Sequence, residues 1–333
     1  MSLFKKLFKK ASTDDTSGGF ISLTINHIRR ETAKAVSLQF DKPTGWDFLP
    51  GQYLTFEATI DGSVERRAYS LSSLPSDDFL QVTVKETPTG FFSKYVNQTL
   101  QEGDSILVMP PTGKFTHNVD PSAHNAYVAA AGGSGITPIF SILKSVLEQE
   151  ANSTFTLIYG NRTQEDIIFA AAIQDLQAKH GARFKVLHVL SDEERSDFTE
   201  YFGFVTMDMI KEMAERHFSI AETHSFFLCG PGPMIDTVKG SLKTLGASAD
   251  QIKTELFTAP LNNDAKPKKE ADTITTDAQV KITYGKESTT VYYTDKKKTV
   301  LDMALDNGIK VPFSCLNGVC STCSAKLVNG TVA

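Results

Sequence analysis

The sequence is poor in cysteine, in long apolar runs and in excess positive charge. There are four cysteines in 333 residues, with Cys315, Cys320 and Cys323 clustered near the C-terminus and Cys229 far upstream. That pattern favours a metal site in a reducing compartment over a disulfide framework. No segment approaches the roughly 18 apolar residues that a membrane-spanning helix needs. Lys and Arg number 34 against 39 Asp and Glu, for a formal net charge of −5, so the basic stripe of a nucleic-acid-binding domain is missing. The basic opening, MSLFKKLFKKAS, has apolar stretches too short for a secretory leader. The chain therefore reads as cytoplasmic, with no nucleic-acid partner.

What is present suffices for real cores: 41% of the residues are apolar, including 22 Phe. At about 150 residues per domain, the length predicts two or three domains. Residues 1–19 read as a disordered, solubilising basic tail in preference to a membrane-touching amphipathic turn. From Phe20 short β-like runs follow at 21–25, 35–40, 53–60, 80–85 and 105–109, punctuated by Pro-Gly, Asp-Gly and Gly-Asp turns. With one helix at 91–100, they predict an antiparallel barrel over 20–118. Over 119–260 the rhythm becomes strand–helix: strands at 126–131, 155–159, 184–190 and 225–229, helices at 138–149, 173–179 and 233–245. Such alternation implies a parallel sheet with crossover helices. Residues 261–278 are polar and charged and read as a linker. The remainder, 279–333, shows two strands, a helix at 300–307 and the cysteine cluster.

Three motifs carry chemistry. Ala131-Gly132-Gly133-Ser134-Gly135-Ile136-Thr137-Pro138 follows a buried strand and opens a helix. Glycines there let backbone amides approach a pyrophosphate, although the same turn can exist without a ligand. In Arg66-Arg67-Ala68-Tyr69-Ser70, Arg67 and Tyr69 share one face of a strand. They could meet a phosphate and a flat ring, or be a surface cation beside a core tyrosine. Cys315-x4-Cys320-x2-Cys323 has the spacing of the first three thiolates of a plant-type [2Fe–2S] site. Zinc is the rival, but its structural sites pair Cys-x2–4-Cys with a second distant pair. The chain ends ten residues past Cys323, so the last domain is expected to be truncated before its fourth ligand.

Taken together, these residues resemble the ferredoxin–NADP⁺ reductase superfamily fused to a C-terminal plant-type ferredoxin domain. Within it the chain looks most like the reductase subunits of phenylacetyl-CoA epoxidases. The resemblance implies a multidomain fold: an antiparallel β-barrel flavin domain, an α/β parallel-sheet NAD(P) domain and an α+β β-grasp ferredoxin domain. It implies FAD, NADPH or NADH, and a [2Fe–2S] cluster held by Cys315, Cys320 and Cys323. Arg67, Ala68, Tyr69 and Ser70 would bind the flavin, with Val84 and Lys85 lining it and Gly90, Phe92 and Ser93 holding its pyrophosphate. Gly133, Gly135, Thr137 and Pro138 would form the nucleotide turn, with Arg162 on the adenosine side. Cys229, Gly230 and Pro231 would flank the nicotinamide, and Glu255 and Phe257 would follow the last strand, where Phe257 covers the flavin. Ser70, Cys229 and Glu255 are the expected catalytic set.

The implied activity is an NAD(P)H oxidoreductase that passes a hydride from nicotinamide to flavin and then single electrons to the cluster. The implied partner is an oxygenase component, in phenylacetate degradation, or another electron-acceptor protein. The alternatives are a stand-alone diaphorase or flavin reductase, and the reductase of a different oxygenase or of a hybrid-cluster protein. The resemblance favours NADPH; against it, Asp192, in Ser191-Asp192, would repel a 2′-phosphate, whereas Arg162 and Arg195 could bind one. Residues 280–333 carry seven Lys against four Asp and Glu, so docking is expected through a surface that is not strongly acidic, with Lys296, Lys297 and Lys298 as candidates.

Overall fold

Alternating apolar and polar side chains build the first half of the protein, and continuous apolar runs build the second. A computed structural model describes residues 19–193, 198–199, 201–257, 278–285, 287–293, 298–309, 311 and 323–330. The chain divides into two compact units, Met1–Thr258 and Ala259–Ala333.

The first unit opens with β1 (Ile21–Thr24), β2 (His27–Thr32), β3 (Ala35–Asp41), β4 (Tyr53–Ile60), β5 (Ser63–Ser70), β6 (Phe79–Lys85), α1 (Phe91–Gln98) and β7 (Ser105–Thr112). Two antiparallel sheets result, ordered β1-β7-β4-β5 and β2-β3-β6. A bridge between Leu71 and Val82 joins them. Val36, Leu38, Phe40, Leu54, Phe56, Val82 and Val84 fill the space between, and Phe92 and Val96 of α1 plug its end. This is the expected barrel. Strand β2 (HIRRET) is an addition to it: three of its six residues are exposed and its side chains do not alternate.

The second half runs β8 (Ala126–Gly132), α2 (Ile136–Gln149), β9 (Thr154–Asn161), α3 (Ala170–His180), β10 (Phe184–Leu190), β11 (Tyr201–Phe202), α4 (Met207–His217), β12 (Thr223–Gly230), α5 (Gly232–Thr244) and β13 (Ile252–Leu256). The sheet is parallel throughout, in the order β11-β10-β9-β8-β12-β13. Its faces are covered separately: Phe155, Leu157 and Tyr159 pack under Ile139 of α2 and Ile173 of α3, while Val128, Ala130 and Ile158 pack under Ile210 of α4 and Ile235 of α5. Helix α4 is not among the elements expected from the sequence; the Thr206 hydroxyl caps it by accepting from the Met209 amide at 3.2 Å. Glu255 lies inside β13, paired with Cys229, and not beyond the last strand as expected.

Barrel and sheet are locked together. Helix α2 is buried along most of its length, and the Ser141 hydroxyl donates to the Ser73 carbonyl of the barrel half at 2.7 Å. Lys253 of β13 donates to the Thr116 carbonyl at 3.0 Å, and buried His117 meets buried Glu150 at 2.7 Å.

In the second unit, β14 (Ala278–Tyr284) and β15 (Glu287–Tyr293) form an antiparallel hairpin. Helix α6 (Val300–Asp306) follows, capped reciprocally by Thr299 and Asp302. Val291, Met303 and Ala304 are buried. Cys315, Cys320, Lys296 and Lys297 lie outside the described residues. Among the described residues no helix is long and apolar enough to cross a membrane.

Gly51 shows how tight the barrel–sheet junction is. Its φ is +95°, and a Cβ there would stand 2.0 Å from the Phe115 carbonyl oxygen and 3.1 Å from a methyl of Ile142 on α2. Gly51→Ala is expected to lower stability by roughly 3 kcal/mol, from the strained φ and the backbone clash together. Urea unfolding of the FAD-loaded protein checks this; a loss below about 0.5 kcal/mol would contradict it.

Candidate active site at the sheet crevice

Sequence-adjacent β8, β9 and β10 run to one side of the sheet, and the chain then crosses to place β12 and β13 on the other side of β8. The strand order therefore reverses between β8 and β12. In open parallel sheets the crevice beyond the carboxyl ends at such a reversal is where ligands bind. Both glycine motifs end there. Gly132 closes β8 and Cys229-Gly230 closes β12. The two reversals interlock: a Cβ on Gly135 would sit 2.1 Å from the Cys229 carbonyl oxygen, and one on Gly132 2.5 Å from the Pro231 ring.

The crevice presents two helix N-termini. Gly135 precedes α2 and Pro231 precedes α5, and neither helix has a side-chain cap. First-turn amides without an intrahelical partner, at the positive end of a helix dipole, suit an anion. Open space stands above Gly232, and the nearest atom to a Cβ built on Gly133 is the Lys85 Nζ, at 3.8 Å. A dinucleotide pyrophosphate fits this donor set and this clearance. Lys85 is held 3.6 Å from Asp166; that acid escapes sequence reasoning, because 81 residues separate it from its partner. Met234 escapes it as well. Its thioether packs over Gly132 and Gly160, with its methyl toward Gly230.

The expected side chains divide into those that reach the crevice and those that do not. Ser70 and Glu255 come together, the Ser70 hydroxyl donating to Glu255 Oε2 at 3.4 Å across the barrel–sheet junction. Glu255 neighbours Cys229 in register, and Phe257 follows, exposed. Burial, and then the Glu255 charge, push the Cys229 thiol well above its ordinary pKa. Tyr69 is half-buried, its ring 5.9 Å from those of Phe56 and Phe92, and burial pushes its hydroxyl upward, so it stays a proton donor. Arg67 is paired with Glu65 at 2.9 Å and donates to the Arg66 carbonyl.

Val84 and Phe92 are core residues, so only their backbone could face a cofactor. Ser93 turns back into its own loop, accepting from the Thr87 amide and donating to the Gly90 carbonyl. Thr137 is buried and donates to the Ser134 carbonyl at 3.1 Å, closing the glycine turn; Pro138 is buried beside it. The Tyr159 hydroxyl braces the same turn through the Gly133 carbonyl at 3.2 Å. Arg162 is exposed and paired with Asp192, its Nε and Nη2 both 2.6 Å from Asp192 Oδ2. Arg195 lies outside the described residues. In the second unit Cys323 is partly exposed and in no disulfide, and Lys298 is paired with Asp306 at 2.5 Å.

Three family profiles match the chain: an oxidoreductase FAD-binding domain over 21–117, an oxidoreductase NAD-binding domain over 130–240, and a 2Fe-2S iron-sulfur cluster binding domain over 284–333. The chain belongs to the ferredoxin–NADP⁺ reductase-like flavoprotein family that carries a C-terminal plant-type [2Fe–2S] domain. It is an NAD(P)H–FAD–[2Fe–2S] electron-transfer oxidoreductase. Over 94% of its length and 88% of the relative's it is 32% identical to a subunit of the 1,2-phenylacetyl-CoA epoxidase of Escherichia coli K12. It is 33% identical to the ferredoxin reductase component of 3-ketosteroid-9-alpha-monooxygenase from Rhodococcus rhodochrous, over 94% of this chain and 87% of that one. The FAD/NAD-binding domain of a Vibrio cholerae nitric oxide dioxygenase superposes with a TM-score of 0.64 at 26% identity, covering 72% of this chain and 99% of that one.

The raised thiol pKa gives a direct prediction. Iodoacetamide reacts with thiolate, so at pH 8 Cys229 should stay unlabelled in the native protein and label fully in urea. Peptide mapping by mass spectrometry reads both states. Native labelling at the rate of a free thiol would contradict the burial that holds the proton.

Proposed function

We propose that this chain is the reductase component of a multicomponent oxygenase that acts on phenylacetyl-CoA, and that it draws its electrons from NADH. The observation that carries the reading is the Ser70–Glu255 contact at the mouth of the crevice. It brings the barrel's flavin-side strand to within hydrogen-bonding distance of the strand paired with Cys229. The 32% identity to a component of a phenylacetyl-CoA epoxidase supports the choice of oxygenase.

Bound FAD supplies the conversion between electron-pair and single-electron chemistry. The chain's residues organise that exchange. Tyr69, backed by Phe56 and Phe92, offers an aromatic wall to a flat ring system. Free amides at the starts of α2 and α5, with Lys85 nearby, hold phosphate. Cys229, kept as a neutral thiol, is a small, uncharged wall on the nicotinamide side, and Ser70 directs its proton at Glu255. Cys315, Cys320 and Cys323 supply thiolates of the type a [2Fe–2S] cluster takes.

The choice of NADH rests on Arg162. The Asp192 carboxylate occupies the one described guanidinium at this place, and its charge opposes a 2′-phosphate. We expect NADH to be preferred over NADPH by about tenfold or more in kcat/KM, and Asp192→Asn to improve NADPH use about fivefold, the gain shrinking at high salt because the site is exposed. Steady-state dye reduction with both nucleotides measures it. For the partner, phenylacetyl-CoA-dependent NADH oxidation in the presence of the oxygenase subunits of a phenylacetyl-CoA epoxidase is the test. Coupling to a 3-ketosteroid oxygenase in its place would redirect the assignment.

A further inference from the structure

Away from the crevice, a groove of about 330 Å³ runs between the barrel strands and helices α2 and α3. Phe79 of β6 lines one side, Phe140 and Lys144 of α2 and Leu176 of α3 the other. The Lys144 ammonium lies 4.9 Å from the centroid of the Phe140 ring. Among the described residues it has no hydrogen bond and no ion pair. The other two cations of the groove are satisfied, Arg29 by Glu31 at 2.7 Å and Lys179 by Glu148 at 2.5 Å. Gln39 donates one amide hydrogen to Gln81 Oε1 at 2.9 Å and keeps a second for another acceptor.

A cation held against apolar walls without a counter-ion is costly. Burial accordingly lowers the Lys144 pKa to about 8. The charged groups around it are Arg29 of β2, Asp77 in the turn before β6, Glu148 on its own helix, and Asp175 and Lys179 on α3. Asp77 is already engaged, its Oδ2 accepting from the Leu74 amide at 2.8 Å. Near pH 7 Lys144 is thus a charged donor with its counter-ion position open, in a groove at the small end of ligand-site volumes. One free ammonium matches a monoanion. A phosphate dianion would bring a second charge against apolar walls and nearby carboxylates.

We propose that this groove is a binding site for a small carboxylate with an aryl-sized apolar body. Its carboxylate lies on the Lys144 ammonium, and its body lies between Phe79, Phe140 and Leu176. Such a ligand touches strands of the flavin half and helices of the nucleotide half together, so it stabilises their assembled arrangement.

Sodium benzoate is the probe, titrated calorimetrically into the FAD-loaded full chain, with sodium chloride at equal ionic strength and benzyl alcohol as controls. We expect saturable benzoate binding at pH 7, weaker binding of benzyl alcohol, and a loss of tenfold or more in Lys144→Met. Affinity should fall at least about fivefold from pH 7 to pH 9.5, because the amine loses its proton as the pH passes its pKa. Leu176→Trp, which fills the groove and keeps the lysine, should abolish binding and decides the matter if Lys144→Met fails to fold. Absence of saturable binding, equal affinity in either variant, or benzyl alcohol binding as tightly as benzoate would overturn the proposal.

Discussion

The structure depends on one close approach: two chain reversals pressed against each other where the strand order of the parallel sheet switches sides. Gly135 stands where no side chain fits against the Cys229 carbonyl, and Gly132 stands against Pro231. Because these turns nest, α2 and α5 start side by side and direct their unpaired amides into one crevice. Apart from the Lys85 ammonium, the groups at this crevice that suit an anion are backbone amides, and backbone positions are set by packing. That explains why Thr137 and Tyr159, whose hydroxyls resemble ligand donors, are spent on the Ser134 and Gly133 carbonyls. They hold the turn in shape.

Around this backbone frame, several side chains are neutral or paired, while Glu255 brings a carboxylate beside Cys229 and Ser70. Burial holds Cys229 as a thiol and Tyr69 as a phenol. Arg67 is neutralised by Glu65 and Arg162 by Asp192. Lys85 is the main cation next to the glycine turn, and Asp166 moderates it. A site for electron transfer needs orientation and a dry wall more than it needs proton donors, and paired guanidinium groups with a buried thiol and a phenol suit that need.

Much of this is legible in the residues. The apolar runs that become β8, β9, β10 and β12 have the continuous character of strands buried on both faces. The glycine turn and the cysteine spacing carry their chemistry in local sequence. Other parts are hidden for physical reasons. Strand β2 is a polar edge whose pairing with β3 comes from hydrogen bonds and not from a buried face. The approach of Ser70 to Glu255 spans 185 positions, and no local pattern encodes it. Val84 and Phe92 stand within segments expected to line a flavin, yet their side chains are buried in the barrel core, because position along a motif does not reveal which way a residue faces. Glu255 belongs to a strand that sequence reasoning misses; β13 is short and mixes charged with apolar residues, so nothing marks it.

Helix α2 joins these features into one mechanical element. Its first residues complete the glycine turn, and Ile142 meets the Gly51 reversal of the barrel. Ser141 is hydrogen-bonded to the barrel at Ser73. A helix buried on nearly every side cannot shift at one end alone, since close-packed interiors transmit displacement instead of absorbing it. The position of the amides at the start of α2 is therefore tied to how the barrel seats on the helix one and two turns further along. Substitutions along that seat, far from any cofactor, should act on the same geometry as substitutions in the turn itself. Those on exposed β2 should leave it untouched.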